Sequence, residues 1–198
     1  MLSQLRPALV MLAALTLVTG GLYPLAVTVI ARVCFAEQAG GSLVVRDGKV
    51  VGSRLLGQSF DDPRLFWGRP SATSPACNGG ASSGSNLGPL NPALAEAVAA
   101  RIAALRASDP GNRTPIPVDL VTASASGLDP HVTPAAAFWQ VARVARERKV
   151  GVAALRELVE RQIEGRTLGL LGEPRVNVLE LNLALGDLGA QRQAGRSD

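Results

Sequence analysis

The chain has 198 residues, 47% of them hydrophobic, and carries 20 Lys and Arg against 16 Asp and Glu for a net charge of +4. Its basic residues are nearly all arginines scattered among acids and alanines, and it holds only seven aromatics, so no basic groove interleaved with stacking rings points to nucleic acid. Two cysteines and one histidine speak against a disulfide framework and a structural zinc site.

Residues 1–6 form a short flank. Residues 7–31 contain no charge and are dominated by Leu, Val, Ala and Ile. As a helix they would rise roughly 37 Å, enough for a hydrocarbon core of about 30 Å. Arg6 and Arg32 bracket this transmembrane helix. Pro24 removes a backbone donor and predicts a kink or local loosening. Thr19, Gly20 and Gly21 give one face the small side chains that allow close helix contact in a membrane. The run is too long for a cleavable signal peptide, and Arg32 stands where lipoprotein processing ahead of Cys34 needs a small apolar residue. Flanking charges lean toward an inside N-terminus and an outside domain.

Residues 32–188 suffice for one soluble domain, followed by a polar tail over 189–198. Asp47-Gly48 between two β-branched runs predicts a hairpin. A loop dense in Pro, Gly, Ser and Asn runs from about 61 to 92; it contains Phe66-Trp67-Gly68-Arg69-Pro70 and Cys77, which is expected to be reachable from solvent. Asn91-Pro92 opens a helix with Leu94, Val98, Ile102 and Leu105 on one buried face, and residues 108–111 stop it. Residues 118–122 read as a short buried strand. Thr133-Pro134 starts a second helix toward Arg148, with Phe138, Val141, Ala142 and Ala145 inward. A third spans about 152–164 on Leu155, Leu158, Val159 and Ile163. Residues 176–188 read both ways, with Asn177 able to cap a closing helix. The fold class is α+β: one transmembrane helix, then a single mixed domain with a small sheet and three or four helices.

No phosphate-binding glycine loop ends in Lys49 or Lys149. Gly80-Ala81-Ser82-Ser83-Gly84 matches a nucleophile elbow, but no strand leads into the serine and His131 is the only possible base. His131 reads as a ring held in a tight loop, Trp139 as core or interface, and Gln140 as a solvent-facing residue on an apolar helix. The residues alone describe a membrane-anchored accessory domain without a catalytic constellation.

An ordered set of segments adds to this. Gly21-Leu22-Tyr23-Pro24-Leu25, Val51-Gly52-Ser53, Leu56-Gly57-Gln58, Phe66-Trp67-Gly68-Arg69-Pro70-Ser71-Ala72, Ser85-Asn86-Leu87-Gly88-Pro89 and Asp119-Leu120-Val121-Thr122 are followed by Ser126-Gly127-Leu128-Asp129-Pro130-His131 and Val176-Asn177-Val178-Leu179-Glu180-Leu181-Asn182. In this order, from about residue 7 to 188, the chain resembles the KdpC family, the C subunits of the Kdp potassium-transporting P-type ATPase. Ser83 and Ala125 stand where the family pattern has glycine, and Cys77 where it has tyrosine. The resemblance implies a non-catalytic subunit in a bacterial inner-membrane complex, beside a channel-like subunit and an ATPase subunit. Its domain would lie outside the cytoplasm, support assembly and cover the ion entrance, meeting potassium only indirectly. No tightly bound cofactor is implied. The alternative role is a catalytic chaperone that raises the ATPase subunit's affinity for ATP. That role likens the loop of Ser126, Gly127, Leu128, Asp129, Pro130 and His131 to an ABC-type signature, with Gln140 touching nucleotide.

Overall fold

A computed structural model describes residues 4–194, with side chains described through residue 189. It divides into two compact units, residues 1–51 and 52–198.

The first unit is built on one continuous apolar helix, Leu5–Cys34, long and apolar enough to cross a membrane and with no buried residue in it. Two α-helical stretches, α1 (Leu5–Leu17) and α2 (Tyr23–Cys34), flank a π turn at Val18–Leu22. Tyr23 N–H bonds the Val18 carbonyl five residues back. The cause is Pro24: without an N–H, and with a ring that crowds the preceding turn, it favours a widened ladder just before it. The hydroxyls of Thr19 and Thr28 add bonds to the carbonyls four residues back, Leu15 and Pro24, each at 2.7 Å. The loosening expected near Pro24 is therefore a π turn. A short helix α3 (Ala36–Ala39) follows, then a hairpin of β1 (Leu43–Arg46) and β2 (Lys49–Ser53). Asp47 and Gly48 both take positive φ, 50° and 73°, as a two-residue turn between right-twisted strands requires.

The second unit is α+β. No regular element occurs between Ser53 and Pro92, so the long loop is irregular as the composition suggested. Helix α4 (Pro92–Ser108) is capped by Asn91, whose side chain accepts from Ala93 N–H. Helix α5 (Pro134–Arg148) is capped by Thr133, accepting from Ala136 N–H. Helix α6 spans Val152–Arg161 and α7 spans Val178–Ala194. A three-stranded antiparallel sheet has the order β3 (His131–Val132), β5 (Arg175–Asn177), β4 (Ile163–Glu164), with Val176 facing both Val132 and Ile163. Val141 and Val144 of α5, Leu155 and Val159 of α6, Leu181 and Leu185 of α7, and Val176 close the core with Phe66 and Leu120.

Four expectations need correction. Residues 118–122 are not a strand: Val118–Leu120 form a 3-10 turn that buries Asp119 and Leu120 and leaves Val118 exposed. The Asp119 carboxylate accepts Thr133 N–H at 2.7 Å, which fastens the turn to the start of α5 instead of to a strand edge. On α4 only Leu105 is buried; Leu94 and Val98 are half-buried and Ile102 is exposed, because α4 rests on the domain by its C-terminal end. On α5 Ala142 faces outward and Phe138 is half-buried, while Arg143 occupies the inward position. Ile163 lies in β4 rather than α6. The ambiguous stretch after 175 is both: β5 ends at Asn177, whose side chain accepts Glu180 N–H at 3.2 Å and caps α7. Within the polar tail, α7 continues to Ala194, and residues 195–198 lie outside the described residues.

Candidate functional site

Two clusters bring together the residues singled out by the sequence. The first surrounds Phe66-Trp67. Asn182 of α7 accepts Phe66 N–H at 2.8 Å and donates to the Phe66 carbonyl at 3.0 Å. Gln140 of α5 does the same to the next residue, accepting Trp67 N–H at 2.8 Å and donating to its carbonyl at 3.0 Å. Two side-chain amides thus imitate a strand partner for a loop that has none, which is how a buried irregular backbone satisfies its polar groups.

Gln140 is fully buried, against the expectation that it faces solvent. It also donates to the Ala136 carbonyl at 3.3 Å and accepts from the Arg143 guanidinium at 2.7 Å. Four bonds saturate an amide's two donors and two lone pairs. Arg143, also with no exposed surface, donates to the Pro63 carbonyl and lies over the Trp67 ring at 4.5 Å. Burial lowers its pKa to about 10. Arg101 of α4 sits over the same indole at 5.3 Å and donates to the Leu120 and Gly68 carbonyls, each at 3.1 Å. The Trp67 indole N–H bonds the Asp62 carbonyl. Trp67 is core and is held by cations, so the aromatic segment that stood out in sequence is an anchor.

The second cluster is the 126–131 loop. Gly127 has φ +67°, and a Cβ there would stand 2.6 Å from the Ser83 carbonyl and 2.8 Å from Thr73 Cγ2. Its carbonyl accepts the Ser71 hydroxyl at 2.6 Å. The Ser126 carbonyl accepts Ser83 N–H at 2.9 Å and the Ser82 hydroxyl at 3.0 Å, while the Ser126 hydroxyl accepts Leu128 N–H. The Leu128 carbonyl accepts Gly57 N–H at 2.7 Å and the Pro130 carbonyl accepts Val178 N–H at 2.9 Å. The serine of the elbow-like segment is therefore a brace in an irregular loop. Asp129 bonds the Arg69 guanidinium at 3.1 Å and His131 N–H at 3.0 Å, with the His131 ring 3.6 Å away. Burial alone would raise the Asp129 pKa; the His131 groups and Arg69 outweigh it and hold the carboxyl below its ordinary value. Arg69 further donates to the Ala123 and Thr122 carbonyls. His131 sits in β3 opposite Asn177.

Beside this loop a cleft of about 140 Å³ is lined by Gln58, Asp61, Arg69, Cys77 and Arg101 among others. Cys77, expected to be reachable, is half-buried, and burial raises its thiol pKa against a hydrogen bond from Ser71. Among the described residues no three His, Cys, Asp or Glu side chains gather where a metal ion could sit. Sequence reasoning missed Arg143 and Asn182 as parts of the buried amide network. A polar pair recurring on otherwise apolar helix faces was the available signal.

A sequence profile described as K+-transporting ATPase, c chain, matches residues 5–187. The chain belongs to the KdpC family. It is 67% identical over 186 residues to the potassium-transporting ATPase KdpC subunit of Sorangium cellulosum, covering 93% of this chain and 98% of that one. It is 60% identical to the subunit of the same name from Methylococcus capsulatus, covering 95% and 100%, and 61% identical to that from Dechloromonas aromatica, covering 93% and 97%. The KdpC match begins in the apolar helix and ends in α7, so both clusters and the candidate span fall inside it.

Proposed function

We propose that this chain is a non-catalytic accessory subunit that holds a potassium-transporting ATPase together, with its domain outside the cytoplasm over the ion entrance. Its partners would be a channel-like and an ATPase subunit. The observation that supports assembly over nucleotide contact is Gln140: all four of its hydrogen-bonding positions are engaged inside the domain, so reaching a nucleotide would require breaking the Trp67 and Arg143 bonds together. The carbonyls of Ser126, Gly127, Leu128 and Pro130 are likewise spent on bracing the loops. The helix Leu5–Cys34 supports the same reading, since none of its residues is buried and a side chain at Gly20 would meet nothing within 4 Å. Another subunit's helix could approach it closely there.

The test begins with sidedness. Cys77 is a poor reporter, so Leu90, 97% exposed, is replaced by cysteine in a chain carrying Cys34→Ala and Cys77→Ala. Labelling of intact cells by a membrane-impermeant maleimide is expected. Labelling only after permeabilisation would put the domain beside cytoplasmic ATP and favour the catalytic-chaperone reading. Saturable ATP binding by the full chain in detergent would do the same.

A further inference from the structure

The cleft of about 140 Å³ beside the 126–131 loop carries charges that the bracing of the domain does not use. Arg69, Arg101 and Asp61 all line it. Arg69 is neutralised by Asp129 at 3.1 Å. Arg101 has no such partner. Its Nε and Nη2 donate to the carbonyls of Leu120 and Gly68, and its guanidinium lies over Trp67. Its Nη1, with two N–H donors, bonds nothing among the described residues. Asp61 is exposed and, among the described residues, forms neither a hydrogen bond nor an ion pair. The two charges act on each other, since burial pulls the Arg101 pKa down and the Asp61 carboxylate pulls against it, yet they do not close to ion-pair distance. Arg101 is pinned: swinging toward Asp61 would strip the Leu120 and Gly68 carbonyls and undo the stack on Trp67.

A cation and an anion thus stand in one cleft, close but separately in need of a partner. A simple anion answers Arg101 and meets like charge at Asp61; a metal cation does the reverse. A solute with opposite charges a few bonds apart answers both. The cleft has room for roughly five waters at about 30 Å³ each, which suits a carboxylate and an ammonium joined by one or two carbons and falls far short of a nucleotide. We propose that this cleft binds a compact zwitterion of the α-amino acid class, with its carboxylate on Arg101 Nη1 and its ammonium on Asp61. The guanidinium is already fixed by Leu120, Gly68 and Trp67, so binding has little to order beyond Asp61 itself. The site goes beyond the assembly reading and does not depend on it.

The experiment titrates glycine into the full chain in detergent by calorimetry, with acetate and methylammonium at matched ionic strength as half-ligands. Saturable glycine binding in the millimolar range is expected, about tenfold tighter than either half-ligand. Asp61→Asn keeps the size of an exposed side chain that supports nothing else. It is expected to weaken glycine about tenfold while acetate binds as well as before or better. Absence of saturable glycine binding overturns the site and leaves the cleft to water. Acetate binding as tightly as glycine would make it a plain anion site and overturn the zwitterion. Equal glycine affinity in the parent and Asp61→Asn overturns it as well, since a general effect of the solute would not depend on that carboxylate.

Discussion

Gln140 and Trp67, 73 residues apart, exchange two hydrogen bonds, from the backbone N–H of Trp67 to the side-chain oxygen and from the side-chain nitrogen to the backbone carbonyl. Asn182 repeats the relationship with Phe66, so the irregular loop is clamped on two successive residues by two helices. The domain's order around its only buried tryptophan-arginine stack depends on this clamp, among the described residues.

Gln140→Ala leaves Trp67 N–H and C=O buried and unpartnered. A loss of about 2–4 kcal/mol is expected, lowering the chain's Tm by about 4–16 °C. Asn182→Ala should cost a similar amount. The double variant should lose less than the sum by more than about 0.5 kcal/mol, since releasing either residue loosens the other. Thermal unfolding of the four chains in detergent measures the coupling; strict additivity would mean that the two clamps act independently.

Gly127→Ala is strained twice, by its positive φ and by the Ser83 carbonyl that its Cβ would meet. About 2–4 kcal/mol of destabilisation is expected. Gly111, with open space around it and no positive φ, should accept alanine neutrally or gain up to about 1 kcal/mol. Urea midpoints of the two variants should therefore move apart, and equal midpoints would refute the packing account of the 126–131 loop.

Asp129 has a folded pKa below its ordinary value, so the carboxylate's contribution to stability is present above the unfolded pKa of about 4 and is lost as pH falls through the folded value. Asp129→Asn is expected to be less stable than the parent at pH 7, with a gap that narrows below about pH 4. Tm measured from neutral to strongly acid pH checks the sign. A gap that stayed constant in acid would remove the Arg69 and His131 contacts as its cause.

Pro24→Ala restores a backbone donor at the π turn. The turn is expected to close into regular α-helix, turning the residues of α1 and α2 relative to one another and weakening recovery of the partner subunits. Amide hydrogen exchange at Leu22 and Tyr23 in micelles, compared between the parent and the variant, reports the closure. Unchanged exchange would show that something other than the proline sets the widened turn.

What the sequence determined by itself was local. The apolar span, the Asp47-Gly48 turn, the Asn91, Thr133 and Asn177 caps and the proline-driven loosening each depend on residues within about five positions of one another, where hydrogen-bond reach and backbone sterics act on contiguous chain. Family membership was legible for a related reason: it is carried by the order of such segments along the chain. The tertiary structure decided what lies inward. Residues 118–122 have the composition of a strand but fold into a turn, because Asp119 finds the start of α5. Gln140 and Arg143 look like solvent-facing polar residues until a loop 73 and 80 residues away brings bare carbonyls and an indole to them. Burial of a polar side chain is settled by the partners that reach it, and here those partners come together only when the whole domain closes.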